Sequence, residues 1–347
     1  MHIAQVAPLY ESVPPRQYGG TERVVSYLTE ELVRQNHDVT LFASGDSETA
    51  AELVPGCPRS LRLDEEAVDQ LAPHVLLLEE VYRRADAFDV IHFHLDYLHY
   101  PISRRQHTPH VTTLHGRLDI PELGPLYREF GDMPVVSISD AQRLPLDGAD
   151  WQATVYHGLP PDLYRFRPEP EDYFAFLGRI SPEKRVDRAI EIVERVDIPL
   201  KIAAKVDPVD QAYFANEIEP MLDHPLVEYV GEIDEAEKGA FLGNAAALLF
   251  PIDWPEPFGL VMIEALACGT PVVAYRHGSV PEVLAEERVG FGVTDLDEAV
   301  QAAQKVHEID RRACRAYFEE RFLVSRMARD YLNVYEQLVH APAQTVS

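Results

Sequence analysis

Apolar residues follow two rhythms along this chain. Short runs rich in Val, Ile and Leu alternate with longer stretches in which apolar residues return every three or four positions. In the first half the runs His2–Ala7, Val39–Ala43, Val90–His94, Val111–Leu114, Val135–Ile138 and Thr154–Tyr156 predict strands. Between the first two, Thr21 to Gln35 sets Val24, Val25, Leu28, Leu32 and Val33 on one helical face, and Asn36 follows where a left-handed residue would end the helix. Strand, helix and strand in such short order form a βαβ unit, and these units build parallel sheets covered on both faces.

The series then restarts. Residues 159–172, LPPDLYRFRPEPED, hold four prolines and no periodicity, and read as a linker. Beyond them strands are predicted at Tyr173–Leu177, Leu200–Ala204, Val227–Val230, Ala247–Phe250 and Pro271–Ala274, again with helical patterns between. A last helical segment carries Met327, Tyr331, Leu332, Tyr335 and Leu338. The pattern predicts an α/β protein of two doubly wound, Rossmann-like domains facing each other. Ligands of such sheets bind outside the carboxyl ends of the strands, so the cleft between domains is the expected site.

Composition narrows the function. At 347 residues the chain suits about two domains. Its 58 acidic residues against 31 basic ones leave a net charge of −27, a field that repels nucleic-acid backbones and anionic lipid. No nucleic-acid partner is expected, and peripheral membrane association is disfavoured. Cys57, Cys268 and Cys314 are odd in number and far apart, which gives no disulfide framework or metal-ligand spacing and fits a reducing cytosol. The N-terminus does not read as a signal peptide and no run is long enough to span a membrane, so a cytoplasmic protein is expected.

Four constellations carry candidate chemistry. In QYGGTERVV, Gly19 and Gly20 separate a strand from a helix, with Thr21 as expected N-cap. They either bring backbone close to an anion at the helix N-terminus or simply make a tight turn; the dinucleotide spacing G-x-G-x-x-G is absent. FLGRISPEKR follows the first strand of the second half and offers Arg179 and Lys184. A guanidinium fork and an ammonium suit a diphosphate, while surface pairs with Glu183 or Asp187 are the plain alternative. In WPEPFGLVMIEALACGTPVVA, Phe258-Gly259-Leu260 opens a helix apolar on every side that nevertheless contains Glu264. An unpaired carboxylate there is costly, so Glu264 needs donors, either a ribose diol or internal groups. Finally His92, His94, His110 and His115 cluster near strand ends with Asp96, a weak metal signal; His115, in TLHG, is the best candidate for a substrate contact.

These four stretches, in this order, resemble the family 4 glycosyltransferases, retaining enzymes of the GT-B fold. The resemblance spans nearly the whole chain and is most specific in EPFGLVMIEALACGTPVVA, with GGTE and GRISPEK matching as well. It implies residues 1–165 as an acceptor domain joined by a returning helix at about 325–347, and 166–324 as the nucleotide-sugar domain. Glu264 is expected to accept from the ribose hydroxyls and Glu256 to touch the donor sugar. The amides of Phe258, Gly259 and Leu260 would face sugar and phosphate. Arg179 and Lys184 would neutralise the leaving diphosphate, Gly19 and Gly20 would close over it, and His115 would line the sugar pocket.

The chemistry so implied is transfer of a sugar from a nucleoside diphosphate, UDP- or GDP-linked, to a hydroxyl acceptor. It needs no metal or other cofactor, and the acceptor attacks from the face of departure while Glu256 orients the sugar. The sequence departs from the family at His157, where Asn is frequent, at Arg185, where Gly is frequent, and at Arg276-His277-Gly278-Ser279, where a Gly pair is common. A GT-B phosphorylase, a nucleotide-sugar epimerase and a non-catalytic nucleotide-sugar binding subunit are the competing expectations.

Overall fold

The computed structural model describes residues 1–16, 19–64 and 67–341. Two compact units result, Met1–Pro160 with Val324–Ser347, and Pro161–Leu323. Each is built on one parallel sheet, so the fold is a two-domain α/β structure of the GT-B type, as expected.

The first unit contains β1 (His2–Val6), β2 (Asp38–Ser44), β3 (Glu52–Cys57), β4 (Val90–Phe93), β5 (His110–Thr113), β6 (Pro134–Ser137) and β7 (Asp150–Thr154). Their order is β3-β2-β1-β4-β5-β6-β7, with every pairing parallel. Helices cover both faces, which is why the central strands read as nearly continuous apolar runs. The chain winds outward from the middle in both directions, and the reversal lies between β1 and β4. Helix Gly20–Arg34 buries Val24, Val25, Leu28 and Leu32 and stops before Asn36, whose φ of 65° is the left-handed turn the sequence predicts. Thr21 is not its cap. The N-cap position is Gly19, with no side-chain cap, and Thr21 lies inside the first turn, where its hydroxyl cannot reach forward to a free amide.

Helix Val324–His340 belongs to this first unit. It rests against β4, β5 and helix Gly20–Arg34 and buries Met327, Tyr331, Val334 and Tyr335.

In the second unit β8 (Phe174–Arg179), β9 (Leu200–Lys205), β10 (Val227–Gly231), β11 (Ala247–Phe250), β12 (Val272–Tyr275) and β13 (Gly290–Val293) order as β10-β9-β8-β11-β12-β13, again all parallel. The reversal here lies between β8 and β11. Phe174, Phe176, Ile190, Val193, Ile202, Leu249 and Val273 form the core on one side. Helix Leu260–Cys268 is buried from Met262 onward, against β11, β12 and the helices Glu235–Asn244 and Arg311–Arg321. Each large apolar side chain so covered stabilises the helix position by about 1.5–3 kcal/mol.

Two strands escape the sequence pattern. β3, ELVPGC, contains Pro and Gly, but it pairs on one side only, as an edge strand where a missing amide costs nothing. β13, GFGV, is also an edge strand, and a Cβ on Gly290 would stand 2.3 Å from the Val272 carbonyl oxygen. β7 begins at Asp150, so the run Thr154–Tyr156 marks the end of the strand instead of its body. Among the described residues no helix is long and apolar enough to cross a membrane.

The segment 159–172 carries no regular helix, but it is pinned. Arg315 donates to the carbonyl oxygens of Pro161, Tyr164 and Ala267, and buried Arg311 donates to those of Arg167, Gly243 and Ala245 and to the Thr270 hydroxyl. Two guanidinium groups thus fix an irregular stretch against helix Leu260–Cys268, and with it the side chain of Tyr164.

Candidate active site

The loops that leave β8 and β11 start on either side of the reversal point of the second sheet, where open α/β sheets place their ligands. The first brings Lys184 and the second Glu256. Lys184 Nζ lies 2.5 Å from Glu256 Oε2, and Trp254 Nε1 donates to the same oxygen at 3.0 Å. The ammonium also sits 4.9 Å from the Trp254 ring centre and 5.4 Å from that of Phe250. Two aromatic faces and a carboxylate therefore hold one lysine at the carboxyl edge of the sheet. The two loops are further tied by the Asp253 amide, which donates to the Glu183 carbonyl at 2.8 Å.

The backbone under Glu256 is set by the loop after β12. The Ser279 amide donates to the Glu256 carbonyl at 2.9 Å, and the Ser279 hydroxyl to the Phe258 carbonyl at 2.9 Å. Gly278 has φ 56°, and a Cβ there would stand 2.3 Å from the Glu256 oxygen and 2.4 Å from its nitrogen. The family's Gly pair is half kept here, at the position the Glu256 backbone demands. Gly259 follows with φ 77° and starts helix Leu260–Cys268, whose first amides have no intrahelical acceptor. The Phe258-Gly259-Leu260 turn thus directs the positive end of a buried helix outward.

Arg179 ends β8 and is surrounded by carboxylates: Glu183 at 2.9 Å, Asp207 at 3.2 Å and Asp210 at 3.5 Å. Glu183 was the expected surface partner for this loop, and Arg179 takes it; Lys184 pairs with neither Glu183 nor Asp187. Burial raises the Asp210 carboxyl above the usual range, whereas Asp207 is held below it by Lys205 and Arg179. Arg185, in place of the family's frequent Gly, adopts φ 52° and spans Asp187 and Asp253; Arg188 and His277 also face Asp253.

Glu264 sits deeper, buried on its helix. Its Oε1 receives Lys238 Nζ at 3.1 Å and the Tyr164 hydroxyl at 3.3 Å, and both donors also contact Glu235. The donors demanded by a carboxylate in an apolar helix are therefore present, one from helix Glu235–Asn244 and one from the pinned segment. Among the described residues Glu256 and Glu264 share no partner.

In the first unit, His94 and His115 follow β4 and β5. His115 Nε2 lies 2.8 Å from His94 Nδ1, and the His115 ring stacks on His157 at 5.5 Å. Burial keeps these rings neutral: His115 is depressed to about 3, His110 to about 4, and His92, His94 and His157 well below their ordinary value. Burial also lifts the Asp96 carboxyl to about 6. Among the described residues no three His, Cys, Asp or Glu side chains gather as a metal site. Gly19 lies at the mouth of the loop after β1, where a Cβ would stand 2.7 Å from Pro15 Cβ, and Gly20 begins the helix in an exposed position.

Two family models match the chain in succession, Glycosyltransferase Family 4 over residues 18–144 and Glycosyl transferases group 1 over residues 165–317. The chain belongs to the family 4 glycosyltransferases. It is 24% identical to the N-acetyl-alpha-D-glucosaminyl L-malate synthase of Bacillus anthracis over 91% of this chain and 93% of that one. Among solved structures it resembles the sucrose-phosphate synthase of Thermosynechococcus elongatus, with a TM-score of 0.80, 17% identity and coverage of 98% and 100%. Anabaena HepE in complex with UDP and glucose matches with a TM-score of 0.72, 18% identity and coverage of 97% and 100%.

Several residues that shape this glycosyltransferase's candidate site are not singled out by its sequence. Trp254 stands two residues before Glu256 and gives one signal, an indole inside a loop motif. Lys238 is one of only five lysines in the glycosyltransferase, and scarcity alone could have marked it. Tyr164 lies in a segment read as a linker, and nothing local distinguishes it. Asp207 and Asp210 follow β9 and reach Arg179 only through the fold.

Proposed function

We propose that this glycosyltransferase moves a sugar from a nucleoside diphosphate sugar to a hydroxyl acceptor with retention of anomeric configuration. The observation that carries the reading is the Lys184–Glu256 pair at the reversal point of the second sheet. It sets a fixed cation and a fixed anion side by side beside an outward-facing helix N-terminus. A diphosphate leaving group needs the first and the last, and a sugar developing positive charge needs the second.

In this reading Glu264 accepts from the ribose hydroxyls, with Lys238 and Tyr164 holding its carboxylate in place. Lys184, Arg179 and the amides of the Phe258-Gly259-Leu260 turn stabilise charge as the diphosphate departs, and no metal is invoked. Arg179 shares itself among three carboxylates, so it meets the phosphates by exchanging or sharing those partners. Gly19 and Gly20 contribute backbone to the phosphates and His115 contacts the sugar. UDP is the favoured nucleotide, in line with the similarity to HepE, whose structure holds UDP and glucose.

Glu256 acts by orientation and charge and is not the nucleophile. Its Oε2 already receives two donors, the Lys184 ammonium and the Trp254 indole, which lowers its power to attack carbon. The acceptor hydroxyl then approaches from the face the diphosphate leaves, and a phosphate oxygen takes its proton. A panel of UDP-, GDP- and ADP-sugars tests the reading by thermal shift and by transfer or slow hydrolysis, with the anomer of the product read by NMR. Retained configuration and a stabilising nucleotide are expected. Inverted product, or no response to any nucleotide sugar, sinks it.

A further inference from the structure

Both terminal nitrogens of the Arg179 guanidinium are already engaged. Nη2 donates to Glu183 Oε1 at 2.9 Å and Nη1 to Asp207 Oδ2 at 3.2 Å, with Asp210 Oδ2 3.5 Å from Nη1. The three carboxylates differ in origin. Glu183 stands four residues after Arg179 and shares its loop. Asp207 and Asp210 come from the loop after β9, the strand beside β8, where they flank and close the short 3-10 turn Pro208–Asp210. That turn is at the surface, with Val209 between them 86% exposed.

The charges here do not balance. Asp207 also takes Lys205 Nζ at 3.1 Å, so three carboxylates face two cations, Arg179 and Lys205. Asp210 is the least satisfied of the three. Its Oδ2 is buried and receives no hydrogen bond among the described residues. Burial, Glu183 and Asp207 raise its carboxyl above the usual range against the pull of Arg179. A buried anion without a donor is costly, so this oxygen adds little to the fold while drawing on one guanidinium. A diphosphate offers that guanidinium the same kind of partner, paired anionic oxygens matched to its fork.

We propose that Asp207 and Asp210 are internal competitors for Arg179: they hold its guanidinium while no diphosphate is bound, weaken nucleotide binding, and speed release of the nucleoside diphosphate after transfer. The identity of the ligand rests on the proposed function above. Each contact that Arg179 makes to a phosphate replaces one to an aspartate, so the net gain on binding is small. Run backwards, the same exchange helps the product leave, because the aspartates take back the guanidinium as the phosphates withdraw. Glu183, on the same loop as Arg179, orients it and is not a competitor.

Calorimetric titration of UDP, GDP and ADP into the full-length protein tests the proposal, with Asp210→Asn and Asp207→Asn as the variants. Asp210 Oδ2 has no hydrogen bond to lose, so Asp210→Asn is expected to fold. Each variant should lower the Kd for the nucleotide that the wild type binds by about three- to tenfold, the range for a partly covered charge contact. Product inhibition by that nucleotide should strengthen by the same factor, while the parent nucleoside, which has no phosphate, should bind unchanged. A merely structural role would weaken binding, not tighten it. In an Arg179→Gln background the gain should vanish, whereas a general loss of negative charge would persist there. Unchanged or weaker nucleotide binding in both folded variants overturns the proposal, and so does a gain that survives Arg179→Gln; either leaves the proposed function standing. Failure of the wild type to bind any of the three nucleotides overturns the proposed function and this inference together.

Discussion

Lys184 and Glu256 are 72 residues apart and meet at 2.5 Å, with the Trp254 indole on the same carboxylate oxygen. Both partners are largely covered, so the pair is neither a loose surface contact nor an isolated buried charge. Removing one member leaves the other partly desolvated. Lys184→Ala is therefore expected to lower kcat by roughly 10²–10³, as loss of one charged group at a transition state commonly does. Nucleotide-sugar turnover measured beside nucleotide binding checks it. An unchanged kcat would place the leaving group elsewhere.

Glu264 separates stability from affinity. Glu264→Gln keeps an acceptor for Lys238 and Tyr164 but removes the charge, and nucleotide affinity should fall roughly 10- to 100-fold. Adding Lys238→Met removes a cation that then keeps only Glu235 as counter-charge, so melting temperature should recover in part while affinity should not. Calorimetric titration of UDP against the single and double variants decides. Recovery of affinity in the double variant would show that Glu264 serves only the fold.

Gly278→Ala tests the loop after β12. A left-handed φ on a non-glycine residue costs about 1–3 kcal/mol, and the added Cβ also collides with the Glu256 backbone. The enzyme should lose stability and, in whatever fraction folds, show a larger loss in kcat than in nucleotide affinity. Equal losses in both would mean that the loop does not set Glu256 specifically.

Acid sensitivity should come from the first unit. His115 and His110 titrate near 3 and near 4 in the fold, below the ordinary 6.5. Between pH 6.5 and 4 the unfolded chain takes up protons that the folded rings refuse, so stability falls as pH falls, by about 2 kcal/mol per ring at pH 5. His92, His94, His99 and His157 shift the same way. Asp96 opposes them, because its raised carboxyl takes a proton in the fold before it does in the unfolded chain. Denaturant titrations at pH 7 and pH 5 should show the loss, and changing His110 to Phe should reduce it. An undiminished loss in the His110 variant would mean that His110 is protonated in the fold at pH 5.

The sequence makes the alternation of strands and helices plain, because parallel strands buried on both faces need unbroken apolar runs. It also marks Asn36, since a short polar side chain tolerates a left-handed turn at a helix end. It does not reveal β3 and β13, where edge position excuses Pro and Gly. Arg185 shows the same limit in the site: only the fold shows that its position needs φ 52°, which accounts for glycine being frequent there, and that Asp187 and Asp253 hold the arginine in place. The two glutamates stand out from sequence because each interrupts an apolar motif. Their donors Trp254, Lys238 and Tyr164 come from three separate segments, and pattern alone cannot join them.

The first unit is assembled from Met1–Pro160 and a helix that begins at Val324, with all of Pro161–Leu323 lying between them in the chain. Until that helix leaves the ribosome, Gln5, His92 and Thr113 have no Tyr331 or Tyr335 to meet, and the face under Met327 is bare. The second unit can therefore finish folding before the first during synthesis. The half of the protein made first waits for the last helix to supply part of its own core.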